Sequence, residues 1–195
     1  MSYPLSLRFK IIAIAEQLAV HDSSGRLMMY VKQKAFKLKE AITVYSDEGQ
    51  QWPLYHIAAD RVIDFSASYS ITDSDGSPVG VVRRKGMKSL WRSSYEIVTN
   101  EGKVFTASEE NPWAKVADGL FSGIPILGIL SGYLFHPSYL ISATGSVGAI
   151  RARKRPAFLE SMFQVDRLSA QLKAEEERLL VIGMVVVLLG ERRRG

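Results

Sequence analysis

The sequence predicts an antiparallel β-barrel closed around one apolar helix, and three observations predict it. Residues 179–189 (LLVIGMVVVLL) carry no charged or polar side chain. A spacing of one apolar residue, four polar or turn-forming residues and a glycine recurs along the chain. Alternation of apolar and polar residues flanks several of these units, and alternation at period 2 marks strands with one buried face.

A helix over 179–189 spans about 16 Å at 1.5 Å per residue, short of the roughly 20 residues that a bilayer core needs. A helix that is apolar on every face must be buried on every face. Glu175, Glu176, Glu177 and Arg178 precede it, and Glu191, Arg192, Arg193 and Arg194 follow it. Leu179, Leu180, Val181, Ile182, Met184, Val185, Val186, Val187, Leu188 and Leu189 are therefore the expected core helix.

From the N-terminus, Arg8 and Lys10 precede an apolar run, a superficial likeness to a signal peptide. The run is short, Glu16 interrupts it and no small-residue cleavage site follows, so an ordinary first strand is expected. The turn units come next: Val20-HDSS-Gly25, Val44-YSDE-Gly49, Ile71-TDSD-Gly76, Ile97-VTNE-Gly102 and a shortened Ile141-SAT-Gly145. Their glycines are spaced by 24, 27, 26 and 43 residues. Asp, Asn and Ser favour tight turns by bonding nearby backbone, and glycine supplies the positive φ that hairpin turns need. Each unit reads as strand, turn, strand. Short strands at this spacing with no helix between them make a sandwich or a barrel. Closure removes exposed edges and leaves an interior that the apolar helix could fill.

The repeat breaks at an apolar, glycine-rich insertion over residues 111–138. No charged residue occurs over 119–150, with His136 counted as neutral. Gly119/Gly123 and Gly128/Gly132 have the spacing that lets membrane helices pack closely, but four glycines and Pro125 weaken a continuous helix. The expectation is an apolar loop or short helix over one barrel mouth, with an interfacial or re-entrant membrane element, and then a spanning helix, as alternatives. Its candidate membrane or partner contacts are Leu120, Phe121, Ile124, Ile126, Leu127, Ile129, Leu130 and Phe135. A further strand is expected over 158–165. A helical lead-in is expected over 167–178, separated from the apolar helix by a turn or hinge.

Residues 30–49 (YVKQKAFKLKEAITVYSDEG), 71–85 (ITDSDGSPVGVVRRK) and 95–102 (YEIVTNEG) resemble the LURP-one-related proteins, of the tubby C-terminal-like superfamily to which phospholipid scramblases are related. Lys32, Lys34, Phe36, Leu38, Ile42, Val44, Asp47 and Gly49 occupy matching positions. The resemblance runs from about Leu18 to Glu110 and resumes near Tyr139. It implies a single domain over 1–195, a closed antiparallel barrel of about twelve strands around a buried hydrophobic C-terminal helix. The chain departs from plant members in its glycine-rich insertion and in the charges that follow the helix. Tubby domains bind phosphoinositides, and scramblases are linked to lipid movement and Ca²⁺. The scramblases' cysteine-rich and Ca²⁺-binding features are not recognisable here, and tubby's headgroup residues have no counterparts that can be matched one by one.

Function is narrowed by what the residues lack. The 195 residues are 47% hydrophobic and 23% charged, the balance of a globular chain. There is no cysteine, so no disulfide, thiolate metal site or thiol nucleophile, which is compatible with a reducing cytoplasm. His21, His56 and His136 lack metal-ligand spacing, and no nucleophile-elbow, phosphate-loop or zincin motif is present. Asp73-Ser-Asp75-Gly76 superficially resembles a Ca²⁺ loop but lacks its distal glutamate; the hairpin repeat accounts for it. No catalytic residue, metal or cofactor is expected.

Basic clusters end three of the hairpins: Lys32 and Lys34; Arg83, Arg84 and Lys85; Arg151, Arg153, Lys154 and Arg155. If those strand ends share a rim, they form a candidate headgroup site at an anionic membrane surface, where each Lys or Arg contributes roughly 1 kcal/mol. Solvated strand ends that block edge pairing are the plainer reading. Nucleic acid ranks below both, because single-strand binders interleave aromatics with the basic groove and only Trp91 lies near a cluster. The expected function is a non-enzymatic module that binds anionic phospholipid, cytoplasmic and peripheral to the membrane. A scaffold or homo-oligomer built on the insertion, and scramblase-like lipid handling, are the alternatives.

Overall fold

The computed structural model describes residues 1–12, 15–34, 41–60, 68–85, 94–110, 137–143, 148–157 and 160–192. These form twelve strands and one helix. The strands are β1 (Leu5–Ile12), β2 (Ala15–His21), β3 (Leu27–Lys34), β4 (Ile42–Tyr45), β5 (Pro53–Ala59), β6 (Ser68–Asp73), β7 (Pro78–Lys85), β8 (Ser94–Thr99), β9 (Val104–Glu109), β10 (Ser138–Ala143), β11 (Gly148–Arg155) and β12 (Ser161–Arg167). The helix is α1 (Ala174–Arg192). Each strand pairs antiparallel with its neighbours in sequence, and β1 pairs with β12 to close the barrel. The predicted closed barrel is the fold observed.

Alternation along the strands sets the inner wall. Leu5, Leu7 and Phe9 of β1 are buried while Arg8 and Lys10 are exposed. Tyr95 and Ile97 of β8, and Phe105 and Ala107 of β9, follow the same rule. All twelve strands contribute side chains to one apolar cluster that includes α1. Leu179 to Ile182 and Met184 to Leu189 are all at most 2% exposed. A helix buried on every face among inward residues of every strand lies inside the barrel, as its composition required.

Small residues set how closely the helix approaches the wall. A Cβ on Gly183 would lie 2.5 Å from Ile97 Cδ1 of β8. A Cβ on Gly80 of β7 would lie 2.6 Å from Leu179 Cδ2 and 2.7 Å from the Val98 carbonyl oxygen. The helix therefore leans on β7 and β8 where glycine removes the obstacle.

The up-and-down path gives the barrel two different rims. The tight hairpins β2–β3, β4–β5, β6–β7 and β8–β9 share one rim with the start of α1. The connections β3–β4, β7–β8, β9–β10 and β11–β12 share the other rim with the end of α1. In the β2–β3, β6–β7 and β8–β9 hairpins, Gly25, Gly76 and Gly102 have φ of 81°, 84° and 80°. Each donates its N–H to the carbonyl three residues earlier, on Asp22, Asp73 and Thr99. The Asp22, Asp73 and Thr99 side chains accept N–H groups from Arg26, Ser77 and Lys103, which rigidifies each loop. The β4–β5 turn departs from the expected pattern. Gln50, not Gly49, takes the positive φ, at 59°, because this loop is longer and is organised by Asp47, which accepts N–H bonds from Gln51 and Trp52.

Two further expectations are corrected near the C-terminus. The strand expected over 158–165 occupies Ser161–Arg167, because pairing with β1 and β11 sets its register. The helical lead-in expected over 167–178, and the hinge after it, are replaced by a reversal over 168–173 and one continuous helix from Ala174. Helix propensity at 167–173 is overridden by the need to turn the chain back into the barrel. Arg167 fastens that reversal: its guanidinium donates to the carbonyls of Ser169, Ala170 and Leu172 and to Glu177 Oε2 at 3.3 Å. Glu176 Oε2 accepts the Lys173 N–H, capping the first helical turn. Phe36, Leu38, Gly145, Trp91 and the insertion over 111–136 lie outside the described residues, as does the side chain of Lys34.

A charge in the helix interior has no partner within reach, and stranding it there exceeds the 5–15 kcal/mol stability of a typical domain. Val186→Asp and Gly183→Arg are expected to yield no soluble, cooperatively melting protein; a normal thermal transition in either would refute the interior placement. Gly80→Ala, which meets backbone, should lower stability by about 1–3 kcal/mol. Gly183→Ala meets the Ile97 side chain and no backbone, and regains about 1 kcal/mol of helix propensity, so it should melt above Gly80→Ala.

Candidate functional site

The ends of β3, β7 and β11 all point to the rim opposite the tight hairpins, so topology brings the three basic clusters of the sequence to one end of the barrel. The strands that flank the insertion, β9 and β10, open at that same end, as does the C-terminus of α1. Within each cluster, alternation decides which side chains face outward. Lys32, Arg83, Lys85, Arg153 and Arg155 are exposed on the outer wall, and Arg151 is half-buried on the same face. Arg84 and Lys154 fall on the inward face, in register with the buried Tyr95 and Phe163, and are half-buried in the mouth.

Several of these cations have protein partners that the sequence did not reveal. Lys85 pairs with Glu96 across β7–β8. Arg151 reaches Glu110 at 2.9 Å, and Arg153 reaches Asp166 at 2.7 Å. Arg155 donates to Gln164 Oε1, and Gln164 in turn donates to Asp166 Oδ1 at 2.8 Å. The β11–β12 face is therefore a cross-strand ladder that joins strands as well as presenting charge. Burial works against the Asp166 charge, but hydrogen bonds from Arg153 and Gln164 outweigh it and hold the carboxyl below the usual range.

Inside the mouth, the end of α1 meets a buried polar group. Tyr95 donates its hydroxyl to Glu191 Oε1 at 3.1 Å. Burial, reinforced by Glu191, pushes the Tyr95 hydroxyl far up, and burial with Glu109 and Glu191 does the same for Tyr139. Both tyrosines stay neutral at any physiological pH, and Tyr95 acts there as a hydrogen-bond donor, not a base. Tyr95 and Tyr139 are in phase with Ile97 and Ile141, so their burial was legible in the alternation; their partners were not. Among the described residues, no group of three or more His, Asp or Glu is arranged to hold a metal.

The opposite rim is bound together by ion pairs that join the first turn of α1 and the reversal before it to the β8–β9 hairpin and the end of β12. Lys103 pairs with the buried Glu176 at 2.7 Å, Arg167 with Glu177, and Lys173 with Glu101. A recess of about 320 Å³ opens beside them, lined by Tyr55, Asp73, Asn100, Glu101, Lys173 and Glu175 among others. Burial opposes the charge of Glu176, but bonds from Lys103 and the Lys173 N–H prevail and hold its carboxyl below the ordinary value of 4.5.

A closed twelve-stranded meander with a C-terminal helix as its core, apolar throughout 179–189, is the tubby C-terminal-like architecture. Within it the assignment is specific: the LURP-one-related family model matches residues 27–189, and the chain belongs to that family. The match starts at β3 and runs through the insertion to the end of the apolar helix. β1 and β2, which close the barrel, precede it. No curated protein and no solved structure matches the chain.

Because Glu176 and Asp166 titrate lower in the folded chain than unfolded, the unfolded state binds more protons in acid. Their contribution is present above the unfolded carboxylate range near pH 4 and is lost as pH falls through the folded values. Denaturant titrations at pH 7, 5, 4 and 3 should show stability falling below about pH 4.5. Glu176→Gln should be less stable at pH 7 and show a shallower fall; an unchanged slope would remove Glu176 from the account.

Proposed function

We propose that the chain is a non-enzymatic module whose basic rim docks on an anionic phospholipid surface, from the cytoplasmic side and without crossing the bilayer. The observation that carries this reading is the shared rim: three basic strand ends and the two strands that flank the apolar insertion open together. Among the described residues, no helix is long and apolar enough to cross a membrane.

Magnitudes decide how the two parts would cooperate. At roughly 1 kcal/mol per Lys or Arg near an anionic surface, four such side chains supply about 4 kcal/mol, which is millimolar attachment. Pairing of Lys85, Arg151 and Arg153 with neighbouring carboxylates lowers their share. Charge alone therefore gives weak, salt-sensitive binding, and a second contact is needed for stable attachment. Leu120, Phe121, Ile124, Ile126, Leu127, Ile129, Leu130 and Phe135 are the apolar residues that this reading assigns to that contact. A protein-binding scaffold built on the same insertion is the competing reading, favoured by the uncharged run that begins at Gly119.

Co-sedimentation with neutral and anionic vesicles at low and high salt tests the proposal. Binding should require anionic lipid and weaken with salt. Combining Lys32→Glu, Arg83→Glu and Arg155→Glu should reduce it at least tenfold without changing the melting temperature. Salt-resistant binding to neutral vesicles would move the contact to residues 119–135. No binding to either vesicle would sink the membrane reading and leave the scaffold.

A further inference from the structure

The two rims carry opposite charge, and this polarity points to a partner for the hairpin rim. On that rim Arg26, Lys103, Arg167 and Lys173 are matched by Asp22, Glu176, Glu177 and Glu101 respectively. Beyond these four pairs, the described residues of the rim add five carboxylates, Asp47, Glu48, Asp73, Asp75 and Glu175, against two cations, Arg178 and the Met1 amino group, which lies 3.7 Å from Glu177. Trp52 stands among them, 68% exposed, the largest exposed aromatic of the described chain. Its backbone N–H is held by Asp47 at 2.9 Å. An exposed tryptophan beside carboxylates is a ready acceptor for a Lys or Arg side chain, through the ring face and the charge together. The recess of about 320 Å³ between the hairpins and the first turn of α1 adds a concave seat beside Tyr55, where Asp73, Glu101, Glu175 and Glu176 outnumber Lys173 and Arg178.

We propose that the acidic hairpin rim docks the basic rim of a second copy of this chain. The complementarity is between surfaces that every copy carries: Lys32, Arg83 and Arg155 at one end, Glu48, Asp75 and Trp52 at the other. The two surfaces differ, so the contact is head-to-tail. A head-to-tail contact that does not close into a ring grows into an open stack instead of stopping at a dimer. The stack and an anionic membrane compete for the same basic rim, so vesicles dissolve the stack from the surface inward and leave one acidic rim facing solution. Self-association uses the basic rim of the lipid reading but does not require lipid binding; only the competition with vesicles rests on that reading.

Sedimentation equilibrium of the full chain over a range of concentrations, in low and high salt, reads this directly. At low salt the average mass should rise with concentration without a plateau at the dimer, and it should fall to the monomer at high salt. Glu48→Lys with Asp75→Lys removes the negative excess of the hairpin rim, and Lys32→Glu with Arg83→Glu removes most of the positive excess of the other rim, while each variant keeps its second rim intact. Each double variant alone should associate at least fivefold more weakly, and an equal mixture of the two should regain association. Trp52→Ala should weaken the wild-type contact. Monomer at every concentration, a fixed dimer, salt-resistant association, or a mixture that fails to recover would each overturn the proposal. The Glu48→Lys, Asp75→Lys variant should keep its melting temperature and its binding to anionic vesicles. Loss of vesicle binding only in the Lys32→Glu, Arg83→Glu variant tests the lipid reading separately.

Discussion

The whole architecture depends on filling the barrel. Eight strands enclose an interior just wide enough for their own side chains. Twelve strands enclose more, and an interior of that width must hold water, ligand or protein. Here it holds α1, whose apolar side chains all face the inner wall. The dependence is mutual. The helix has no polar face to give to solvent, and the strands have no other apolar surface against which to bury theirs. Gly80 and Gly183 mark where the two approach most closely, since a side-chain carbon at either would collide with the opposing element.

Such a core places demands on the ends of the helix. The chain must turn back sharply after β12, and the first helical turn must carry its charges into a rim of the barrel. Arg167 satisfies three carbonyls of the reversal and a carboxylate of the helix at once. Glu176 and Glu177, nearly buried, are matched by Lys103 and Arg167. At the far end Glu191 is matched by the Tyr95 hydroxyl. Polar groups thus collect at the two rims while the middle stays apolar. The same geometry separates the surface charges: aspartates and glutamates serve the tight turns, while lysines and arginines occupy the ends of the strands that run away from them. Fold and electrostatic polarity arise from one topology.

Much of this was legible in the chain. Period-2 alternation marked the inner wall, the repeated glycines marked the hairpins, and the uncharged run 179–189 marked the interior helix. Where reading failed, a longer-range contact had overridden a local signal. Residues 167–173 are good helix formers, yet Arg167 stays in the sheet opposite Ile150 and the next residues make the reversal. Gly49 looked like the left-handed turn residue, yet the carboxylate of Asp47 organises a longer loop in which Gln50 takes that conformation. The basic clusters were visible as runs of Lys and Arg. That Arg84 and Lys154 turn into the mouth, and that Glu110, Asp166 and Gln164 bind Arg151, Arg153 and Arg155, required the register of paired strands.

The sequence by itself determined the buried face of the strands, the positions of the tight hairpins and the interior helix. Those properties depend on side-chain polarity at fixed spacing, and spacing is written in the chain. Only the tertiary structure decided which distant groups meet. The convergence of three basic strand ends on one rim, the pairing of Lys103 with Glu176 across 73 positions, and the recess on the opposite rim all follow from barrel closure. Closure is a property of twelve strands together, and no single strand encodes it.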